Sequence, residues 1–179
     1  VDTATGNLAK VNPPIRPRED VEYLWECLLA NNIDWVVSDH ACCKHEDKVH
    51  VENPGDIWLA KSGFGGTEYL MSALVSEGSK RGLGLNKIAE LTSFNPARRY
   101  GLHGKGDIDV GLDADLVLVD PNETWTIKSS ESESGQGYTP FEGTELQARV
   151  TTTFLRGNCI FDDHQVLGEP SGRYLKRPY

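Results

Sequence analysis

The apolar residues change their spacing once along the chain, near residue 103, and that change limits the folds open to it. Before it, Val21, Leu24, Trp25, Leu28 and Leu29 recur at i, i+3, i+4, i+7 and i+8, one face of an amphipathic helix. From Gly104 onward the period shortens to about two and turn residues recur. Leu116-Val117-Leu118-Val119 reads as a strand closed by Asp120-Pro121-Asn122, and Trp125-Thr126-Ile127 as another. Val150–Leu155 and Cys159–Phe161 read as a hairpin turning at Gly157-Asn158. The chain therefore divides into an α/β part, residues 1–103, and an all-β part, residues 104–179.

Within the α/β part, Ile33-Asp34-Trp35-Val36-Val37-Ser38-Asp39 follows the first helix. A short β-branched and aromatic run in that place predicts a buried parallel strand. Asn31-Asn32 terminate the helix before it. Asp39 then falls at the strand's carboxyl end, where α/β sheets place their chemistry. Cys42–Asp56 is predicted to be a long polar loop. Further helices are predicted from Thr67 to about Gly78 and from Asn86 to Ser93. A short one is capped by Asn95 before Pro96 and ends at Gly101. Ser129–Gly137, rich in Ser, Glu and Gly, is predicted to be a solvated loop.

With 179 residues the chain is too short for a complete (β/α)₈ barrel, which needs roughly 200–250 residues. It begins Val1-Asp2-Thr3 and is expected to belong to something longer. Its formal charge of −9 argues against partners that present a phosphate backbone or an anionic membrane. No apolar run approaches the roughly 18 residues of a membrane helix. The four cysteines are Cys27, Cys42, Cys43 and Cys159. With no C-x-x-C and no export signal they are expected to be reduced thiols in a cytoplasmic protein.

The sharpest local signal is Ser38-Asp39-His40-Ala41. A carboxylate at a strand end can ligate a metal and shuttle a proton to and from an attacking water. On these residues alone, Asp39 capping a turn with His40 packed beside it is the plainer reading. Asp113 and Asp115 lack the spacing and terminal Glu of a calcium loop. The glycines match no phosphate loop. His45, His50, His103 and His164 form no pair at ligand spacing, and no G-x-S-x-G is present.

Seven segments in order carry a family resemblance: K-V-N-P-P-I-R (10–16), I-D-W-V-V-S-D-H-A (33–41), F-G-G (64–66), N-P-A-R-R-Y-G-L (95–102), the G-K-G-x-I-x-x-G-x-D-A-D-L-V run from Gly104, Y-T-P-F-E-G (138–143) and F-L-R-G-N (154–158). Together they resemble the C-terminal part of the cyclic amidohydrolases of the amidohydrolase superfamily. That group contains dihydroorotase, allantoinase and hydantoinase/dihydropyrimidinase.

The resemblance implies an α/β fold, with residues 1–103 the C-terminal segment of a metal-dependent (β/α)₈ TIM barrel and residues 104–179 the C-terminal strands of a small β-sandwich. Ile33–Asp39 would be the eighth barrel strand. It implies two zinc ions bridged by a carboxylated lysine that this chain does not contain. Asp39 would be a metal ligand and the catalytic acid–base. Asn12, Gly65 and Gly66 would bind substrate, the glycines by letting backbone approach the ring. The expected reaction is hydrolysis of a ring C–N amide bond in a small cyclic amide or ureide, by a homo-oligomer that binds neither nucleic acid nor membrane. The chain alone is expected to be inactive.

Asn12 favours a dihydroorotase. Cys43, Phe64-Gly65-Gly66 and the tail from Arg156 favour an allantoinase, and hydantoinase/dihydropyrimidinase is the alternative. The chain departs from the family at Cys42, in place of a proline, and at Tyr69, in place of a glycine. A non-catalytic, dihydropyrimidinase-related structural protein is a further reading, against which Asp39 stands. A β-rich binding module built on residues 104–179 is the third.

Overall fold

The structure, a computed structural model, describes residues 6–52 and 54–177. They form two compact units that interleave along the chain. The first takes in the chain up to Asn32, Ser38–Leu70 and Trp125–Leu146; the second takes in Ile33–Val37, Met71–Thr124 and the chain from Gln147 on.

In the first unit, helix α1 spans Arg18–Leu29 with Glu19 and Asp20 in its first turn, where negative charge complements the helix dipole. It ends as the sequence predicts. Asn31 takes a left-handed φ of 61°, its N–H donates to Leu28 O and that of Asn32 to Cys27 O at 2.9 Å. These are the paired bonds of a Schellman motif. Of the predicted apolar face only Leu28 is buried; Val21, Leu24 and Leu29 are exposed.

The loop predicted over Cys42–Asp56 contains a short helix, α2 (His45–Lys48). The Asp47 carboxylate accepts from Lys44 N–H at its start, at 3.1 Å. A 3₁₀ turn, Thr67–Tyr69, precedes helix α3 (Leu70–Ser79). The two together match the predicted helix.

In the second unit, helix α4 (Leu85–Ala89), a π-helical turn (Glu90–Phe94) and helix α5 (Asn95–Tyr100) run on without a break. Pro96 has no N–H to continue the ordinary ladder. The predicted cap at Asn95 does not form, because its side chain donates to Asp34 O at 2.8 Å instead. Gly101 ends the run in the left-handed region, as predicted.

The strand predicted over Ile33–Asp39 is not a strand in the structure. A strand needs a neighbouring backbone to complete its ladder, and none among the described residues pairs with it. Val36 N–H donates to Leu91 O at 3.0 Å instead.

The β-rich residues form an antiparallel sheet in the second unit, in the order β1 (Leu116–Asp120), β4 (Arg149–Leu155), β5 (Asn158–Asp162), β6 (Gln165–Val166). The hairpin β4–β5 turns at Arg156-Gly157, one residue earlier than predicted, with φ of 48° and 79°. Both central residues are left-handed, as a tight two-residue hairpin requires. Strand β2 (Trp125–Thr126) pairs with β3 (Glu145–Leu146) in the first unit.

Two devices fasten the loop that leads into β1. Lys105 Nζ bonds Asp113 Oδ2 at 2.8 Å and also Asp115 Oδ2. Asp115 Oδ1 accepts from Arg156 N–H at 2.8 Å. Burial pushes the Asp115 carboxyl up, but its bonds to Lys105 and Arg156 outweigh this and hold it below the usual carboxylate range. Gly106, at φ +91°, is the second device. A Cβ there would lie 2.4 Å from Ala97 Cβ and 2.9 Å from Ser93 O, a clash with helix backbone that cannot move cheaply.

Gly106→Ala is therefore expected to destabilise the protein by about 3 kcal/mol, combining overpacking with an unfavourable φ. Denaturant unfolding checks this, and a loss under about 0.5 kcal/mol would contradict it. A depressed folded-state carboxyl stabilises above its unfolded pKa and loses that contribution as pH falls through its folded one. Asp115→Asn should thus lower the Tm at pH 7, and the gap to wild type should close as pH falls below 4. A gap that stays constant across that range would contradict the pairing.

Candidate active site

All the expected site residues, Asn12, Asp39, Gly65 and Gly66, lie in the first unit. One loop, residues 57–67, connects them. Lys10 Nζ donates to the carbonyls of Ile57 at 2.9 Å, Trp58 at 3.5 Å and Ala60 at 2.6 Å. The carbonyl of Lys10 in turn accepts from Lys48 Nζ at 2.8 Å and from Gly63 N–H at 3.0 Å. Two residues on, Asn12 Nδ2 donates to Ser62 Oγ at 2.9 Å. The segment bearing Asn12 is thus held to the loop by side chain and main chain together.

Lys48 is fully buried. Burial pushes its ammonium below the ordinary lysine range; Cys43 opposes that shift and the charge of Lys10 adds to it. Beside it, Asp47 pairs with Lys61 at 2.5 Å, and the Lys61 bond holds the Asp47 carboxyl below its ordinary value.

The segment bearing Asp39 meets the same loop further along. Ser38 Oγ shares a hydrogen bond with Thr67 Oγ1 at 3.1 Å. His40 Nδ1 accepts from Gly66 N–H at 3.2 Å and Thr67 N–H at 3.3 Å. Ala41 N–H donates to Phe64 O at 3.1 Å. Asp39 sits between these anchors with φ 46°, a conformation uncommon for a residue with a side chain. It is exposed. Its carboxylate meets no hydrogen-bond partner among the described residues, so both oxygens can accept.

The two glycines differ. Gly65 is buried and donates its N–H to Gln136 Oε1 at 2.7 Å. A Cβ there would stand 2.8 Å from that oxygen and 3.0 Å from Gln136 Cδ. What comes close to Gly65 is therefore the amide of Gln136. Gly66 has ordinary space beside Phe141. Around them Phe64, Tyr69, Phe141 and Trp125 form a chain of ring contacts 5.7–6.4 Å apart. Tyr69, which stands where the resemblance has a glycine, is buried in this cluster.

Sequence reasoning missed Gln136. It lies in the stretch expected to be a solvated loop, yet it is 3% exposed. Ser132 and Glu133 of the same stretch hold the Glu68 carboxylate, the latter through its N–H at 2.7 Å. A lone amide residue among serines and glycines carries no periodic signal, so nothing in the sequence marks its burial.

The four cysteines are free thiols. Cys43 donates to Ser62 O at 3.5 Å, and Cys42 lies 3.7 Å from Ser134 Oγ. The hydroxyls of Tyr69 and Tyr138 are buried with no hydrogen-bond partner among the described residues. Burial raises both phenols above their ordinary range.

Among the described residues no group of three or more His, Cys, Asp or Glu side chains is arranged to hold a metal ion. Asp39 offers one donor, and the Nδ1 of its neighbour His40 is occupied by backbone N–H groups. These residues by themselves do not make up a metal site.

The relatives bear out the family resemblance. The profile of the amidohydrolase family matches residues 10–160. The chain is 41% identical to an allantoinase of Rubrobacter xylanophilus over 172 residues, 96% of this chain and 37% of that protein. It is 37% identical to an allantoinase of Salmonella newport, over 95% of this chain and 37% of the relative. Among solved structures, a D-hydantoinase superposes with a TM-score of 0.88 at 31% identity, covering 96% of this chain and 38% of that one. The L-hydantoinase (dihydropyrimidinase) of Arthrobacter aurescens superposes with a TM-score of 0.87 at 32% identity, covering 93% and 37%. The chain thus spans little more than a third of the length of these relatives. No helix among the described residues is long and apolar enough to cross a membrane. The amidohydrolase family is generally metal-dependent, and this chain, an α/β part of the amidohydrolase fold, belongs to it.

Proposed function

We propose that this chain is part of a zinc-dependent cyclic amidohydrolase that opens a ring C–N amide bond, with a cyclic ureide of the allantoin type as substrate. The observation that carries this reading is Asp39: an exposed carboxylate with both oxygens open, fixed between backbone anchors beside the glycine loop. The allantoinase relatives support the substrate class.

In this reading Asp39 performs two proton transfers. As water attacks the ring carbonyl, the carboxylate takes its proton while the C–O bond forms. As the C–N bond breaks, the same proton goes to the departing nitrogen. Asn12 and the Gly65–Gly66 backbone bind the substrate. Two zinc ions and a bridging carboxylated lysine complete the proposal. Asp39 is the one ligand this chain would contribute, and the others would stand on parts of the relatives that it does not span. Residues 1–103 would be the C-terminal segment of a TIM barrel and residues 104–179 the C-terminal strands of a β-sandwich, with Trp125–Leu146 folded back beside the glycine loop. The protein would be cytoplasmic and homo-oligomeric.

The hydantoinase structures favour a second substrate, a hydantoin or dihydropyrimidine. A panel of allantoin, 5-substituted hydantoins, dihydrouracil and dihydroorotate, assayed on the whole protein, separates the two. Fastest turnover of allantoin is expected, and a preference for hydantoins selects the second reading. Turnover of none would overturn both and favour a non-catalytic relative. Asp39→Ala should lower kcat by about 10²–10⁴-fold with the fold intact by circular dichroism. Undiminished turnover in that variant would sink the role of Asp39.

A further inference from the structure

We propose that His40 is a positioning residue for the ring-opening site, acting through the lone pair of its Nδ1 atom. That nitrogen accepts two backbone N–H groups, from Gly66 at 3.2 Å and Thr67 at 3.3 Å. A ring nitrogen accepts only through a free lone pair, so Nδ1 is the accepting atom of this imidazole.

The two donors stand at the start of the Thr67–Tyr69 turn, where N–H groups have no partner within the helix. Gly66 occupies the capping position and has no side chain to satisfy them. His40 supplies that acceptor from a distant stretch of chain. The bond thus does two things at once: it starts the turn, and it ties the turn to the residue next to Asp39.

The neighbouring bonds work in the same direction. His40 N–H reaches back to Ser38 Oγ at 3.3 Å. Ser38 Oγ also bonds Thr67 Oγ1 at 3.1 Å, and Ala41 N–H bonds Phe64 O at 3.1 Å. Asp39, left-handed at φ 46°, is held at both flanks by the stretch 64–67, and His40 supplies two of those bonds. Loss of the Nδ1 acceptor frees the Gly66–Thr67 backbone and relaxes the constraint on the Asp39 carboxylate together. This inference rests on the reading of Asp39 as the proton-transfer group and Gly66 as a substrate contact. It adds the group that sets their spacing.

Asparagine and glutamine make the test specific. The Oδ1 of Asn can stand where Nδ1 stands, whereas the Oε1 of Gln falls near Nε2. In the whole protein, His40→Ala and His40→Gln should lower kcat by about 10–100-fold, the scale of a displaced reacting group, and change KM less than threefold. His40→Asn should recover kcat to within about threefold of wild type. In an Asp39→Asn background, His40→Ala should cost no further activity.

Hydrogen exchange supplies a readout independent of turnover. The Gly66 and Thr67 amides should exchange at least tenfold faster in the Ala and Gln variants and at the wild-type rate in the Asn variant. Asn no better than Ala in both measurements would overturn the inference, as would wild-type kcat in His40→Ala. Exchange that follows the predicted order in a protein with no ring-opening activity would uphold the tether and overturn the functional reading instead.

Discussion

One buried charge organises the candidate site. Lys48 places its ammonium, with no exposed surface, on the carbonyl of Lys10. Taking an ammonium out of water is unfavourable unless it finds oxygen acceptors, so Lys48 confines the segment that carries Asn12 to a narrow set of positions. The side chain of Lys10 then fixes the turn of Ile57–Ala60, and Gly63 closes on the same carbonyl. From that loop the bonds lead to Asp39 by way of Phe64, Gly66 and Thr67. Removing either lysine would loosen the loop on which both predicted contact groups depend.

The glycine loop shows how one short motif divides its work. At Gly65 the side-chain amide of Gln136, from Trp125–Leu146, occupies the space a Cβ would take, so a larger residue would have to push that amide aside. Gly66 meets a different demand: its N–H faces the imidazole of His40, and the 3₁₀ turn begins there. One glycine packs the loop against its own unit and the other joins it to the Asp39 segment. Phe141 stands beside Gly66 and meets the rings of Phe64 and Tyr69.

Much of this was legible in the sequence, for identifiable reasons. Local signals carried well: the Asn31 terminus of α1, the Gly101 terminus of α5 and strand β1 all stand where propensity and turn chemistry put them. The motif order indicated the family, which the relatives bear out. What could not be read depends on distant partners. Ile33–Asp39 has the composition of a strand but no described strand beside it, so its polar groups turn to Leu91 and Asn95. The apolar face of α1 has the right period and stays largely exposed, because burial needs an opposing surface. Gln136 and Lys48 were invisible as buried residues because each looks like ordinary solvated polarity until the loop it serves is in place.

The central claim is that Asp39 is this chain's contribution to a metal-bearing, ring-opening site. The most direct test is an experimental structure of the whole protein grown with zinc, with anomalous scattering recorded at the zinc edge. The account predicts an anomalous peak within about 2.0–2.2 Å of an Asp39 carboxylate oxygen. A zinc ion bound elsewhere, with the Asp39 carboxylate turned away from it, would contradict it.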